Sequence, residues 1–284
     1  MNLRSKPLIA FTLAVILLGT AFVCGCTDSG AVPAAPVETI SVTGSTTVLP
    51  LAQLAAEAYM DTHPEADIRV SGGGSSVGVK AVGEGTAEIG MASRDLKSSE
   101  SETYPDLVEH VVAKDAIAII VHPSNSVSDL TVEQIKSIYL GETTNWKAVG
   151  GPDAAIVVVG RDSASGTREY FQDAVMNKED FTTTQLEKNS NGAVRQTISQ
   201  TPGAIGYVGL GYLDGAVKAV PVNTGTSIVD AGVATVISGE YPIARGLNMF
   251  TAGQPEGLAA DYLAFIMSPD GQALVAEEGF VPIA

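Results

Sequence analysis

Beyond about residue 39, short apolar runs alternate with stretches whose apolar residues recur every three or four positions. Strand-like runs fall at residues 39–42, 67–70, 87–92, 116–121, 155–159, 205–208 and 219–222. Helical spacing is clear over 50–61, where Leu51, Leu54, Ala55 and Ala58 share a face, and over 131–139, where Val132, Ile135 and Ile138 do. Further helices are expected over 76–83, 166–176 and 258–267. The run 116–121 is apolar throughout, as expected of a parallel strand covered on both faces. Strands alternating with helices predict an α/β protein with mainly parallel sheets.

The first 38 residues break this pattern. Arg4 and Lys6 precede an uncharged, mostly apolar run over 8–23. That run is shorter than the about 20 residues a membrane span needs, and it predicts a signal peptide over 1–25. It ends in Val23-Cys24-Gly25-Cys26, which looks like a lipobox. Cys26 follows the small Gly25 and is the expected lipidation site and first mature residue. The alternative is ordinary signal cleavage with a disulfide between Cys24 and Cys26, the only two cysteines. Gly30, Pro33 and Pro36 mark residues 26–38 as a flexible tether. A lipid at Cys26 would hold the protein at a membrane without crossing it.

Composition narrows the function. A chain of 284 residues, 45% hydrophobic and 17% charged, suits two domains of ordinary size. A net charge of −16 without a basic stripe argues against nucleic-acid binding. It also opposes long-range steering of an anion, so any anion affinity must arise from short hydrogen bonds inside a cleft. No His/Cys/Asp cluster has metal-ligand spacing, and no metal or cofactor is expected. The stretches around Trp146 and Tyr207 read as core.

Three segments share one arrangement: a strand, a loop of Gly, Ser and Thr, then a helix start. They are Gly44-Ser45-Thr46-Thr47, the run from Ser71 through Gly74 to Ser75 and Ser76, and the run from Arg161 through Asp162, Ser163 and Ser165 to Gly166, Thr167 and Arg168. The first N–H groups of a helix lack internal partners, and the dipole there favours negative charge. Glycine lets the backbone approach an anion, hydroxyls donate, and arginine adds a fork of donors. One such loop is usually only a helix cap; three, one flanked by Arg161 and Arg168, predict an oxyanion site. A serine hydrolase is the rival of another class. Ser163 lies between strand and helix, but Arg161 and Ser165 stand where the G-x-S-x-G elbow needs glycine. None of His63, His110 and His122 has the context of a general base, so no enzyme activity is expected.

The segments TGSTTVLPLAQLAAEAY, SGGGSSVGVKAVGEGTAEIGMASRDL, IYLGETTNWKAVGG, VGRDSASGTREYF and TPGAIGYVGLGY together resemble the phosphate-binding proteins of phosphate ABC transporters, the PstS-like family. The resemblance covers nearly all of the chain beyond Ser41. It implies a two-domain, type II periplasmic-binding-protein-like fold, each domain a mainly parallel sheet flanked by helices, closing by a hinge over a cleft. The chain would cross twice, near 121–123 and 240–242, giving one domain over 39–121 and 241–284 and another over 122–240. The resemblance implies that Thr46, Thr47 and Ser75 donate to phosphate from one side, and that Arg161, Ser165, Gly166 and Thr167 complete the cage, with Ser45 a neighbour. Some members place an aspartate after the strand over 87–92 to accept the ligand's proton. Here Ser93 and Arg94 stand there and count among the ligand-binding candidates, and Asp95 or Asp162 is left to supply an acceptor. The implied partners are inorganic phosphate and an ABC permease with its ATPase. The implied location is the outer face of the cytoplasmic membrane, as a lipid-anchored monomer. Sulfate, molybdate or tungstate as ligand, and a sensing role without a permease, are the alternatives.

Overall fold

The structure, a computed structural model, describes residues 36–283. The expected signal peptide, the Cys26 lipidation site and most of the tether lie outside the described residues. The chain begins with β1 (Glu38–Gly44), α1 (Leu49–Thr62), β2 (Ala66–Gly72), α2 (Ser75–Gly83), β3 (Ile89–Ala92), α3 (Ser98–Thr103) and β4 (Leu107–Val121). There follow β5 (Leu130–Thr131), α4 (Val132–Leu140), β6 (Val157–Arg161), α5 (Gly166–Ala174), β7 (Leu186–Lys188), α6 (Asn191–Gln200) and β8 (Ala204–Gly209). The remainder is β9 (Lys218–Val220), β10 (Val222–Asn223), β11 (Ile228–Val229), α7 (Val233–Ile237), β12 (Ala244–Ala252), α8 (Gly257–Met267) and α9 (Pro269–Glu277).

The local signals act as physics requires. Pro50 in the first turn of α1 needs no amide partner there, and Leu51, Ala52, Ala55, Ala56 and Tyr59 form the buried face. Thr131 and Gln134 close a capping box on α4, and Gly141 ends that helix in the left-handed region. The expected strand over 219–222 is split into β9 and β10 around Pro221, which has no N–H to give a ladder.

The main sheet runs in the order β2-β1-β3-β12-β4-β8-β6-β7, with β9 also paired to β4. The β1–β2, β1–β3, β6–β7 and β6–β8 pairs are parallel, as the alternating pattern predicts. The apolar run over 116–121 is a correction. It belongs to β4, which is antiparallel to β12, β8 and β9. A continuous apolar run reports burial of both faces, not strand direction, and residues 115–121 are buried throughout.

β4 also changes partners along its length. It pairs with β12 as far as Ala116, and with β8 from Ile117 onward. The carbonyl of Ile243, just before β12, accepts from the Ile117 N–H at 2.8 Å. Around one half of the sheet pack α1, α2, α8 and α9; Tyr262 of α8 donates to the Ala52 carbonyl of α1 at 2.6 Å. Around the other half, Trp146 is fully buried and donates to the Gly203 carbonyl at 2.9 Å.

At the change of partners sits a buried ion pair. Arg245 of β12 places Nη2 at 2.8 Å and Nε at 3.1 Å from Asp115 Oδ2, and the Leu210 N–H donates to Asp115 Oδ1 at 2.9 Å. Burial pushes the Asp115 carboxyl upward, while Arg245 and the Leu210 N–H oppose it. Removing one member of such a pair strands the other charge in the interior. Asp115→Ala should therefore lower the unfolding free energy by about 3–5 kcal/mol, and denaturant unfolding measures it. Replacing Asp115 and Arg245 together by apolar residues should cost less than Asp115→Ala alone.

Candidate functional site

Four chain segments meet where the two halves of the sheet approach each other: the turn before α1 and the first residues of α2, α5 and α6. Thr47 Oγ1 lies 3.0 Å from Thr167 Oγ1, across the two halves. Asn191 Nδ2 donates to Thr47 Oγ1 at 2.9 Å and to Thr46 Oγ1 at 3.3 Å. Arg161 Nη2 donates to Thr46 Oγ1 at 3.1 Å. All five side chains are buried. The walls approach so closely that two glycines are obligatory. A Cβ on Gly74, whose φ is +102°, would stand 2.5 Å from the Ala164 carbonyl oxygen, and one on Gly166 would stand 2.2 Å from Ser75 Oγ.

The hydroxyls are poised by their neighbours. Arg161 and Asn191 both donate to Thr46 Oγ1, so the Thr46 proton must be given to some other acceptor. Between Thr47 and Thr167 one hydroxyl donates to the other, and one proton remains to be given away. Ser75 Oγ accepts the Ser93 N–H at 3.1 Å and lies 3.5 Å from Ser93 Oγ, so its own proton can go to Ser93 or to a ligand. The result is a concentration of donors at helix N-termini, which suits a small oxyanion.

Arg161 supplies the charge. It ends β6 and is 1% exposed. Its Nε and Nη2 donate to the carbonyls of Lys188 and Asn189, while Nη1 has no partner. Among the described residues no carboxylate lies within ion-pairing distance of it. Burial pulls its pKa below the ordinary arginine value, the direction expected of a desolvated cation. Beneath it, Phe171 stacks on Tyr207 with centroids 4.3 Å apart and meets Tyr139 edge-on. Such pairs each contribute about 0.5–1.5 kcal/mol and make a rigid floor.

The expected site residues sort themselves by contact. Thr46, Thr47, Ser75, Arg161, Gly166 and Thr167 come together. Ser45 Oγ accepts the N–H groups of Thr47 and Val48, so it shapes the turn. Ser165 caps α5 through the Arg168 N–H. Ser93 lies behind Ser75, and its carbonyl accepts from Arg245 Nη1 at 2.9 Å. Arg94 is committed elsewhere: it chelates Glu100 at 2.7 and 2.8 Å and lies 2.7 Å from Glu169 of α5, which Lys97 also reaches at 3.0 Å. Together with Ser165 and Arg168, this network lines a groove of about 790 Å³ to which Thr46, Thr47 and Arg161 do not contribute. Arg168 holds the Arg161 carbonyl and Glu187 and packs over Phe181. Ser163 is exposed, and the histidines bond elsewhere, His63 to Tyr59 and Thr62, His110 to Thr251 and His122 to Ser124.

Asn191, Arg245 and Tyr212 were not expected. Asn191 follows β7 in the run Lys188-Asn189-Ser190-Asn191-Gly192, which repeats the strand–polar loop–helix arrangement and was open to recognition. Arg245 Nη2 lies 3.5 Å from Thr47 Oγ1 and Tyr212 donates to the Thr46 carbonyl at 2.5 Å. Burial pushes the Tyr212 hydroxyl pKa up to about 12, so it remains a donor at neutral pH. Arg245 lies in no motif, and Tyr212 ends the segment TPGAIGYVGLGY with nothing local to mark it as a site residue. Among the described residues no group of His, Cys, Asp and Glu is arranged to hold a metal, and no helix is long and apolar enough to cross a membrane.

The mixed sheet and the two walls closing on a buried cluster of donors define a binding protein of the periplasmic-binding type, and a family model described as a PBP superfamily domain matches residues 29–270. The phosphate-binding protein PstS of Bacillus subtilis (strain 168) is 35% identical, covering 86% of this chain and 80% of that protein. PstS of Borreliella burgdorferi is 33% identical, covering 86% and 90%. The crystal structure of a putative phosphate ABC transporter substrate-binding protein with bound phosphate, from Clostridium perfringens, matches with a TM-score of 0.82 and 38% identity, covering 87% of this chain and all of that one. The chain belongs to the PstS family of phosphate-binding proteins.

The Arg94 network makes a pH prediction. Burial raises the Glu100 carboxyl, but hydrogen bonds from Arg94 and the Lys97 N–H outweigh it and hold its pKa below the ordinary glutamate value. A depressed carboxylate contributes stability above its unfolded pKa of about 4.3 and loses it as pH falls through the folded value. Glu100→Gln should therefore destabilise the protein at neutral pH, with the difference from wild type shrinking below about pH 4, as urea unfolding across pH would measure.

Proposed function

We propose that this chain captures inorganic phosphate outside the cytoplasmic membrane and delivers it to an ABC import permease and its ATPase, binding and releasing the anion without making or breaking a bond. The observation that carries this reading is the buried Arg161, with Nη1 unpartnered, facing hydroxyls whose protons await an acceptor. Thr46, Thr47, Ser75, Arg161, Gly166 and Thr167 are assigned to the ligand, joined by Asn191. Ser45 and Ser165 shape the loops, and Ser93 and Arg94 support them from behind. Charge-assisted hydrogen bonds at short range answer the requirement set by a chain of net charge −16.

Two lobes close over the ligand in this reading, one over 39–121 and 241–284 and the other over 122–240. The partner change in β4 favours moving the first crossing from 121–123 back to Ala116–Ile117. A hinge of two adjacent strand segments permits rigid rotation of one lobe against the other. Cys26 carries the lipid, residues 27–38 form the tether, and the protein acts as a monomer.

Titration calorimetry on protein refolded free of carried-over ligand tests the function, with tight one-to-one phosphate binding expected. Arg161→Ala removes charge and donors from a buried site and should cost about 2–5 kcal/mol, a loss of thirtyfold or more. Binding like wild type would place the site elsewhere. Cys26→Ser should move the protein from the membrane fraction to the soluble fraction, and lipid labelling should disappear with it.

A further inference from the structure

Inorganic phosphate at neutral pH carries at least one P–O–H, whereas sulfate carries none. A site that tells them apart needs a buried acceptor, left without a partner when sulfate is bound. The cluster is rich in donors: Arg161 Nη1, the hydroxyls of Thr46 and Ser75, and one of Thr47 and Thr167. Acceptors are scarce there. Ser93, which follows β3, is tied to Ser75 and carries no charge. Asp115 is spent on Arg245 and the Leu210 N–H. Three other buried acceptors lack partners: Gln185 Oε1 lies against Gly160, Asn248 Oδ1 lies beside Gly246 and Glu109, and Asp162 Oδ1, in the loop after Arg161 but bonded to none of the threonines, is the rival acceptor.

Asn191 is different. It is fully buried, its Nδ2 is fixed on the hydroxyls of Thr47 and Thr46, and its Oδ1 has no partner. We propose that Asn191 is the specificity-determining residue of this site, its Oδ1 accepting the proton of a protonated tetrahedral oxyanion and so selecting phosphate over sulfate. The inference rests on the proposed phosphate site and goes beyond it by assigning the discriminating group. The geometry makes one amide serve two ends. Nδ2 polarises the threonine hydroxyls that donate to the anion, and fixing Nδ2 sets the direction of Oδ1. A neutral amide performs this task without placing a second negative charge against a bound anion. Were the amide turned over, Oδ1 would take the threonine protons and Nδ2 would face the ligand, leaving a donor that welcomes sulfate equally.

The test is calorimetric titration of ligand-stripped full-length protein with phosphate and, separately, with sulfate, for wild type, Asn191→Ala, Asn191→Asp and Asp162→Asn. Thermal melting without ligand checks that each is folded. In Asn191→Ala the phosphate affinity should fall about ten- to hundredfold, while sulfate binding stays as it was or strengthens. Asn191→Asp keeps an acceptor and should keep the preference for phosphate at reduced affinity, so it carries the test if the alanine variant does not fold. A wild type that binds neither anion overturns the proposed function along with this inference. Three outcomes overturn the inference alone: a wild type that binds both anions alike, an alanine variant that loses both by the same factor, or selectivity lost in Asp162→Asn and kept in Asn191→Ala.

Discussion

A guanidinium buried at the end of a strand, with no carboxylate among the described residues close enough to form an ion pair with it, is the constraint on which the site depends. Arg161 is held by two backbone carbonyls and one threonine, and Nη1 is left unpaired. Such a charge is costly to bury alone. The chain tolerates it because the stacked Phe171 and Tyr207 fix the strand from below, and because the loops before α1 and α6 bring polar atoms against it from both sides. The same arrangement that makes the interior uncomfortable for a lone cation makes it welcoming for an anion.

Magnitudes identify which effect governs. A helix N-terminus contributes about 0.3–1 kcal/mol toward a nearby negative charge. A hydrogen bond to a charged group contributes about 1.5–3 kcal/mol, and its removal from a buried site costs more. Several hydroxyls and one arginine therefore outweigh the dipoles of α2, α5 and α6, whose role is to deliver those side chains to one place. Long-range electrostatics works the other way in so acidic a chain. Affinity must be made at contact, behind walls close enough that Gly74 and Gly166 can carry no side chain.

Much of this was legible in the sequence where the signal was local. The helix of α1, the strand–loop–helix units at Thr46, Ser75 and Arg161, and the α/β class all follow from spacing and from the turn residues. What escaped was non-local. β12 contains Arg245, Asn248 and Gly246 and has no clean alternation, because ion pairing and hydrogen bonding occupy positions a plain strand would fill with apolar residues. The antiparallel course of β4 could not be read from its apolar run, since burial of both faces is common to either direction. Arg94, beside Ser93 in sequence, turned out to serve Glu100 and Glu169, partners that only the fold reveals. Asn191 carried a local signal, weakened because β7 is only three residues long.

The two halves of the sheet share β4, and the Asp115–Arg245 pair binds that strand to β12 where the partners change. The ligand site lies against this junction through Thr47, which Arg245 also approaches. The central claim is that the hydroxyls of both walls and the unpaired Nη1 of Arg161 converge on one anion. A high-resolution crystal structure of the protein grown with phosphate tests it most directly. The account predicts a single tetrahedral ion within hydrogen-bonding distance of Thr46, Thr47, Thr167 and Arg161 Nη1; phosphate bound in the groove beside Arg94 and Lys97, with the Arg161 cluster unchanged, would contradict it.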